Sequence, residues 1–432
     1  MVFCSGMGFL RRVHPDREAP TAPPKWMGFL DHDSVLVLNH PDAIRHVLHD
    51  NHANYVKGVL YDDVRRLLGQ GLLTSNGNSW LSQRKLAQPA FHAFALEAYH
   101  PVMVETIASS LREWQARAKP GRAVNILGEM SRLTLRIIAK SLFKIDLAAQ
   151  EDRILQAITE LFTFDTRSRG PFVGRVYKYL PFWARMRAYK ARSDFEQAIS
   201  WIIDNRSGSP DIISCFEAGS SDAAGASTSP RVRDEVTTFL SAGHETSAIG
   251  LSWALHLLSQ NPEAERRIRT EITEVLDRRP PSPSDMPLLT YTAMVIQETL
   301  RLYPPIPTFS RQAVNDDVIA GFKIRMNTNL RIKPVLIHRH PDFWPHPERF
   351  SPERFSPEQS AARPRCAYIP FGAGPRTCIG NHFAMMEMKL ALAMILQAVR
   401  FTPAAGRHPV EEVFNITLRP RYGLWMIPAF LE

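Results

Sequence analysis

Residues 371–380 read FGAGPRTCIG, and they place Cys378 in an unusual setting. Three glycines permit a tight backbone loop that can approach a flat or bulky group closely. A helix-forming run follows, so the sulfur is predicted at or just before a helix N-terminus, where free N–H groups and the helix dipole stabilise an anionic thiolate. Arg376 supplies a cation that can pair with a cofactor carboxylate. The loop alone therefore favours a metal-ligating thiolate, with a buried structural cysteine as the alternative.

The cysteine content argues against a disulfide framework. The chain has 432 residues and four cysteines, and no two of them form a C-x-x-C pair. A zinc ribbon is not expected either. With 44% hydrophobic and 22% charged residues, the composition is that of a globular protein. No apolar run reaches the roughly 20 residues that span a bilayer, and the first residues lack the order of a secretory signal. We expect a cytoplasmic protein.

The charge balance constrains the partners. The formal net charge is +9, which favours an acidic partner or surface. No basic run interleaved with aromatic residues is present, so nucleic acid is not expected as a partner.

Helical patterns dominate the chain. The stretch that begins RVRDEV at 231 and continues to Pro262 is too long and too apolar for a surface helix, and it predicts a buried central helix. Strand-like pieces are short: SVLVLN near 34, VIAGFKI near 318, NLRIKPVLI near 329, and a C-terminal pair around ITLRP and GLWMI. The Ser-, Ala- and Gly-rich stretch 217–230 predicts a mobile loop. We expect a mainly α protein with a small β portion, folded as a single domain over 1–432. Further helices are predicted at 101–117, 122–143, 150–163, 183–204, 262–277, 290–303 and 379–398.

The central helix contains an unusual polar cluster, SAGHETS at 241–247. Small Ala242 and Gly243 leave room for a ligand beside the helix. The hydroxyl of Thr246 can bond the carbonyl of Ala242 and open a local groove. Glu245 next to Thr246 offers an acid and a hydroxyl for relaying protons. The alternative is a solvated polar patch on an amphipathic helix.

Two further pairs are weak signals on their own. Glu298 and Arg301 lie three residues apart in QETLRLYPP, so they share a helical face and can bond each other. Trp80 and Arg84 lie four residues apart in WLSQR, where they could bind a planar anionic cofactor or form a surface cation–π pair.

Taken together, these motifs closely resemble the cytochrome P-450 family of heme-thiolate monooxygenases. The heme-ligand pattern Phe-x-x-Gly-x-Arg-x-Cys-x-Gly is matched by Phe371, Gly374, Arg376, Cys378 and Gly380. The oxygen-activating pattern is matched by Ala242, Gly243, Glu245, Thr246 and Ser247. The remaining matches are the Glu-x-x-Arg pair Glu298 and Arg301, its third partner Arg354 from the second of two PERF copies, and Trp80 with Arg84.

The resemblance implies the family fold, with heme b between the long central helix and the cysteine loop. Cys378 would be the axial iron ligand, whose electron donation favours O–O cleavage. Thr246 and Glu245 would govern proton delivery to dioxygen. Gly380 would let the following helix approach the ring. Heme propionates would pair with Arg84, Arg376 and Arg311, and a structural network would join Glu298, Arg301 and Arg354.

The resemblance also implies the reaction, one oxygen atom inserted into an apolar substrate with two electrons from a separate partner. An acidic ferredoxin or flavodoxin with its NAD(P)H-dependent reductase fits the net charge, docking near Arg84, Lys85, Arg363 and Arg365. The substrate is expected to be a terpenoid such as a diterpene, or a fatty acid. The alternatives are a heme-thiolate peroxygenase, an isomerase or dehydratase of lipids, and a non-catalytic heme protein. The predicted pocket residues are Phe239, Leu240, Ile306, Thr308 and Ile416.

Overall fold

The structure, a computed structural model, describes residues 35–147, 150–167, 182–206, 211–218, 229–404, 409–414 and 416–431. The α-helices are α1 (Pro41–Arg45), α2 (Leu60–Leu68), α3 (Gly77–Ala87), α4 (Ala93–Arg117), α5 (Ile126–Leu142), α6 (Glu151–Arg167), α7 (Phe182–Asp204), α8 (Ile212–Ala218), α9 (Pro230–Gln260), α10 (Pro262–Leu276), α11 (Thr290–Leu302), α12 (Pro334–Ile337), α13 (Pro357–Ala362) and α14 (Asn381–Ala398). The strands are β1 (Val35–Leu38), β2 (Tyr55–Lys57), β3 (Val124–Asn125), β4 (Phe309–Ala313), β5 (Asp317–Ile319), β6 (Phe322–Ile324), β7 (Asn329–Ile332), β8 (Val399–Pro403), β9 (Glu412–Phe414), β10 (Leu418–Pro420) and β11 (Trp425–Phe430). The prediction of a mainly α protein with a small β portion is confirmed.

The chain divides into two compact units, each assembled from separate stretches of sequence. The first unit comprises Met1–Tyr61, Leu111–Leu127 and Ile249–Glu432, and the second comprises Asp62–Ser110 and Gly128–Ala248. Helices α2, α4, α5 and α9 contribute residues to both units. The single domain over 1–432 stays a prediction.

The first unit contains the β-structure. Its four-stranded sheet has the order β1-β7-β4-β2, in which β1 and β7 are parallel and the other pairs antiparallel. A second sheet has the order β3-β11-β8, and two hairpins pair β5 with β6 and β9 with β10. One face of the four-stranded sheet carries a buried apolar cluster that includes Tyr55, Phe309, Leu330 and Ile332. This sheet carries Arg311, one of the predicted site residues, and Thr308 directly precedes β4.

The C-terminal part of α9 packs within the first unit at short range. A Cβ on Gly250 would lie 2.9 Å from the sulfur of Met388 on α14, so glycine allows the two helices to approach. The indole of Trp253 stacks on Tyr303 at 4.0 Å and donates a 3.1 Å hydrogen bond to the carbonyl of Leu418. This half of the central helix is therefore a core element, as its apolar sequence predicts.

The second unit is helical. Helices α6 and α7 pack along each other, and α3 packs against α8. The N-terminal part of α9 is held by an aromatic group in which Phe239 contacts Phe91 at 5.8 Å and Phe216 at 5.9 Å.

The structure corrects several of the predicted elements. The VIAGFKI stretch is a hairpin rather than one strand, because Ala320 and Gly321 both take positive φ angles of 49° and 84° between β5 and β6. The strand in NLRIKPVLI ends at Ile332, since Pro334 begins α12. Helix α4 begins at Ala93 and runs through Pro101, where the sequence pattern predicts a start.

One prediction lies mostly outside the described residues: the mobile loop 217–230, of which 219–228 is not described. Within the described ranges, no helix is both long enough and apolar enough to cross a membrane.

Candidate functional site

The loop that carries Cys378 is built by backbone hydrogen bonds in the first unit. The N–H of Cys378 donates to the carbonyl of Phe371 at 2.8 Å, and the N–H of Thr377 donates to Gly374 at 3.0 Å. The side chain of Cys378 is exposed, and α14 begins three residues later at Asn381. An accessible sulfur directly before a helix N-terminus is the environment that stabilises a thiolate. None of the three cysteines in the described part of the chain is disulfide bonded.

Gly374 is required by both its conformation and its surroundings. Its φ is 70°, in the left-handed region that disfavours side chains, and a Cβ there would lie 1.8 Å from the carbonyl oxygen of Leu48. Gly372 also has a positive φ, 73°, but a Cβ there would meet no atom within 4 Å. Glycine at position 374 therefore allows the cysteine loop to pack directly against the helical turn at Leu48.

Glu298 and Arg301 form a buried ion pair in the first unit. Arg301 donates from Nε to Oε2 of Glu298 at 2.6 Å and from Nη2 to Oε1 at 2.8 Å, with both side chains fully buried. Arg354, from the second PERF copy, lies 3.4 Å from the same carboxylate. Arg349, from the first copy, contributes its carbonyl to Arg301 at 3.1 Å. The structure thus brings the three residues of the predicted network together, and it adds backbone partners that the sequence did not reveal.

An aromatic group missed by the sequence analysis surrounds this network. Arg363 lies over the rings of Trp344 and Phe355, at 4.3 and 4.6 Å from their centres. Tyr368 packs against Phe355 at 4.8 Å and donates to the carbonyl of Gln297 at 2.9 Å. Arg363 therefore has a structural role and is a poor candidate for the docking face predicted from its charge. Arg365, two residues on, is exposed.

His338 ties the network to the segment before the cysteine loop. Its Nε2 accepts from the N–H of Ile369 at 2.8 Å, and its carbonyl accepts from Arg301 at 2.8 Å. Burial, reinforced by the positive charge of Arg301, lowers the pKa of His338 to about 3. His338 is therefore a neutral structural residue at physiological pH, held on both ring nitrogens.

The polar cluster of the central helix lies in the second unit. The hydroxyl of Thr246 donates to the carbonyl of Ala242 at 2.7 Å, the bond anticipated from the sequence, and α9 continues as a helix through this point. Ala242 is exposed, while Glu245 and Thr246 are half-buried. The acid and the alcohol are therefore accessible from one side of the helix, which suits proton transfer.

Gly243 has a packing role in the second unit. A Cβ on Gly243 would lie 1.9 Å from Cδ1 of Ile138 on α5. The hydroxyl of Thr134, one turn earlier on α5, donates to the carbonyl of His244 at 2.8 Å. The space at Gly243 is thus filled by Ile138, and its glycine is explained by the contact between α5 and α9 rather than by room for a cofactor.

The cations predicted to bind propionates lie in different settings. Arg311 on β4 is buried, and its guanidinium donates to the carbonyl of Ser310 at 2.9 Å and lies over the ring of Phe309. No carboxylate among the described residues forms an ion pair with it. In the second unit, the guanidinium of Arg84 lies 5.9 Å from the ring centre of Trp80. A buried arginine without an acidic partner suits an acidic group of a cofactor.

The predicted pocket residues also fall in both units. In the first unit, Ile306, Thr308 and Ile416 are half-buried, and the N–H of Leu418 donates to Pro305 at 2.9 Å, so the two segments that carry them lie side by side. In the second unit, Phe239 is nearly buried in its aromatic group. Leu240 is fully buried and faces the protein interior, which makes it a core residue.

Two acidic side chains of α9, which the sequence analysis did not single out, accept hydrogen bonds from a glycine-rich loop of the second unit, GQGL at 69–72. Asp234 accepts from the N–H of Gln70 at 2.7 Å, and the buried Glu235 accepts from the N–H of Leu72 at 3.0 Å. Burial raises the pKa of Glu235 to about 7, although its bond to Leu72 works in the opposite direction. The sequence feature that could have indicated this contact is the acidic pair Asp234 and Glu235, just before the apolar part of α9.

Comparisons with known proteins identify the class of protein that this fold and site define. The family model described as Cytochrome P450 matches residues 21–425. The Mycobacterium tuberculosis protein named cytochrome P450 132 is 34% identical over 408 residues, covering 90% of this chain and 87% of that protein. Cyclooctatin synthase of Streptomyces melanosporofaciens is 34% identical, with coverage of 90% and 83%, and human Cytochrome P450 4F8 is 34% identical, with coverage of 93% and 82%.

The chain belongs to the cytochrome P450 family. It is a monooxygenase whose cofactor is heme with an axial cysteine thiolate, and it uses dioxygen and a redox partner. The described residues fit this cofactor, because they supply an accessible thiol before a helix N-terminus and a buried arginine without a carboxylate partner.

Proposed function

We propose that this P450 oxidises a hydrophobic small molecule, a terpenoid such as a diterpene or a fatty acid, with Cys378 as the thiolate ligand of the heme iron. The observation that carries the ligand assignment is the exposed Cys378 side chain on a loop fixed by its N–H bond to Phe371 and followed at once by α14. The chemistry that bound heme supplies is the activation of dioxygen with two electrons delivered singly. Arg311, Arg376 and Arg84 would hold its propionates.

Thr246 and Glu245 would manage the protons of the reaction. The hydroxyl of Thr246 donates to Ala242 in the resting helix, and its oxygen remains able to accept a hydrogen bond. Glu245 precedes it on the same accessible side of the helix and can exchange a proton with solvent. An acid and an alcohol in this order can pass a proton inward.

The predicted pocket supports an apolar substrate. Ile306, Thr308 and Ile416 line adjacent segments of the first unit, and Phe309 follows on β4. Among the relatives, Cyclooctatin synthase is named for its product. The half-buried apolar side chains of Ile306 and Ile416 are compatible with either proposed class of substrate, a terpenoid or a fatty acid.

The electron donor that we propose is a separate acidic ferredoxin or flavodoxin, with its NAD(P)H-dependent reductase. The net charge of +9 supports an acidic partner. Lys85 and Arg365 are exposed cations suited to such a contact, whereas Arg363 is covered by aromatic rings. Charge reversal at Lys85 or Arg365, made singly, should slow reduction by the donor at low salt and have little effect at high salt. The few scattered cysteines fit a cytoplasmic location.

The retained acid–alcohol pair favours an oxygenase over the alternatives. A peroxygenase, or an isomerase or dehydratase of lipids, needs no proton relay to dioxygen, and neither does a non-catalytic heme protein. Glu245 and Thr246 are both present and accessible. An oxygen-dependent monooxygenase is therefore the function that these residues support best.

The ligand assignment is tested by Cys378→Ser. The reduced carbon-monoxide complex of the wild-type protein should show the red-shifted Soret band of a thiolate-ligated heme, and the variant should lack it. Cys366→Ser is the matched control, because Cys366 is half-buried and lies twelve residues earlier in the chain. Loss of the band in the control alone would assign the ligand to Cys366 instead.

A further inference from the structure

The heme-ligand pattern leaves Thr377, the residue directly before Cys378, without an assigned role. The pattern fixes five positions in 371–380, and its open positions hold Gly372, Ala373, Pro375, Thr377 and Ile379. Of these five, only threonine has a side chain that can form a hydrogen bond. The proposed function uses the thiol and the neighbouring arginine of this loop, but it gives no use to the hydroxyl.

The hydroxyl of Thr377 closes the turn that precedes the cysteine. It donates a 2.8 Å hydrogen bond to the carbonyl of Gly374, and the N–H of Thr377 donates to the same oxygen at 3.0 Å. These bonds enclose a single turn of 3₁₀-helix, Gly374–Arg376, which ends at Thr377. Because the hydrogen bonds of a 3₁₀ turn have poor geometry, a second donor to the same carbonyl adds to the stability of the turn.

The carbonyl that accepts both bonds belongs to a residue that is held in place by its neighbours. Gly374 has a φ of 70°, and a Cβ there would lie 1.8 Å from the carbonyl oxygen of Leu48, so its backbone packs directly against the turn His46–Asp50. All of these residues belong to the first unit. Through Thr377, the backbone next to the cysteine is therefore tied to a fixed point in the packed part of the protein.

Thr377 also sets the path of the chain into the cysteine. It leaves the turn with an extended ψ of 144°, and the N–H of the following residue, Cys378, donates to the carbonyl of Phe371 at 2.8 Å. The sulfur of a cysteine is one rotatable bond away from the backbone, so its position follows that of the backbone closely. The bonds of Thr377 to Gly374 and of Cys378 to Phe371 thus determine where the sulfur lies.

We propose that the hydroxyl of Thr377 positions the thiolate of Cys378 for the heme iron, by holding the turn at Gly374 closed. Thr377 does not itself bind iron or transfer protons, so it is a positioning residue. Removing a group that orients a metal ligand changes metal affinity or activity by about 10- to 100-fold. The inference rests on the proposed assignment of Cys378 as the iron ligand, and it adds a residue that keeps this ligand in place.

The test compares valine and serine substitutions at this position in the heme-containing protein. Valine has nearly the shape of threonine but no hydroxyl, whereas serine keeps the hydroxyl and lacks the methyl group. The reduced carbon-monoxide complex is kept in urea below the unfolding transition, and the loss of its red-shifted Soret band is followed over time. Thr377→Val should lose the band at least about five-fold faster than the wild-type protein, the factor that corresponds to one net hydrogen bond. Thr377→Ser should lose it at the wild-type rate, and it should retain heme even if Thr377→Val does not.

Thr273→Val is the matched control, because the hydroxyl of Thr273 also donates at 2.8 Å to a backbone carbonyl of the first unit, that of Arg269 on α10. This variant should lose the band at the wild-type rate. Tryptophan fluorescence in increasing urea measures the overall unfolding of each protein, and the midpoint for Thr377→Val should stay close to that for Thr273→Val. A faster loss of the band at an equal midpoint separates a role in positioning from a general loss of stability.

Three outcomes would overturn the inference. The first is equal persistence of the band in Thr377→Val and the wild-type protein. The second is an equally fast loss of the band, or a loss of heme, in both Thr377→Val and Thr377→Ser, which would show that the hydroxyl does not hold the ligand. The third is a fall in the unfolding midpoint of Thr377→Val that accounts for its faster loss of the band.

These outcomes are distinguishable from a failure of the proposed function. In all three, the wild-type protein still shows the red-shifted band, so the assignment of Cys378 as the iron ligand stands. A wild-type protein without that band would contradict the ligand assignment itself, and the role of Thr377 with it.

Discussion

Arg301 holds the carboxylate of Glu298 with two parallel hydrogen bonds, of 2.6 and 2.8 Å, at a site where neither side chain is exposed. The same guanidinium donates to the carbonyls of His338 and Pro347 at 2.8 and 2.7 Å. The carboxylate also accepts from the N–H of Ser351 at 2.8 Å. Through these hydrogen bonds, the ion pair links α11 to residues 338–351, which precede the cysteine loop in the chain.

Glu298→Gln should strongly destabilise the protein. The substitution leaves the charge of Arg301 buried with only carbonyl partners, and breaking a buried ion pair in this way costs about 3–5 kcal/mol. Urea unfolding and heme content measure the effect. Glu263→Gln is the matched control, because Glu263 pairs with Arg266 at the same i,i+3 spacing but both are exposed, and its loss should cost less than about 1 kcal/mol. Similar losses in the two variants would contradict a structural role for the Glu298 pair.

Thr246→Ala should retain heme and substrate binding but uncouple electron consumption from product formation. The variant loses the hydroxyl that bonds Ala242 and that we propose delivers protons. The ratio of product to NAD(P)H consumed should fall and released peroxide should rise. Thr273→Ala removes a hydroxyl with the same bond to the carbonyl four residues earlier, at 2.8 Å on α10, and should leave the ratio unchanged. Unaltered coupling in Thr246→Ala would remove the hydroxyl from the mechanism.

The parts of the site that the sequence predicts are those set by local spacing. The pairing of Glu298 with Arg301 and the bond from Thr246 to Ala242 follow from helix geometry, since residues three and four apart share a face. The cysteine loop is local as well, because its hydrogen bonds join residues within 371–378. Such features need no knowledge of tertiary contacts.

The parts that escaped prediction depend on residues distant in the sequence. Gly243 is a glycine because Ile138 fills its place, and no local pattern links the two. Arg363 reads as a surface charge until the rings of Trp344 and Phe355 are seen to enclose it.

Glu235→Gln should make stability less dependent on pH. Burial raises the pKa of Glu235 to about 7 in the folded protein, whereas in the unfolded chain it titrates near the ordinary glutamate value of about 4.3. The stability due to this group is therefore fully present below pH ~4.3 and is lost as pH rises to about 7. Glutamine keeps an oxygen for the N–H of Leu72 but does not ionise. Relative to this variant, the wild-type protein should lose about 3 kcal/mol of unfolding free energy between pH 4.5 and pH 8.

Urea unfolding of both proteins across this pH range measures that difference. Glu97→Gln, at an exposed glutamate of α4, is the control, and its difference from the wild-type protein should vary much less with pH. The wild-type charge on Glu235 is opposed by Asp234 and favoured by Arg231, the two charged groups that face it. A difference between Glu235→Gln and the wild-type protein that stays constant from pH 4.5 to pH 8 would show that the pKa of Glu235 is not raised in the folded protein.

Gly374→Ala should disrupt the cysteine loop, and Gly372→Ala should not. Both glycines have positive φ angles, 70° and 73°, so each alanine costs about 1–2 kcal/mol of backbone strain. Only at Gly374 would the new methyl group also lie 1.8 Å from the carbonyl oxygen of Leu48, a contact that backbone must move to relieve. Heme content and the Soret band of the reduced carbon-monoxide complex should be retained in Gly372→Ala and lost or reduced in Gly374→Ala. Equal behaviour of the two variants would mean that strain alone, and not the contact with Leu48, fixes the position of the loop that carries Cys378.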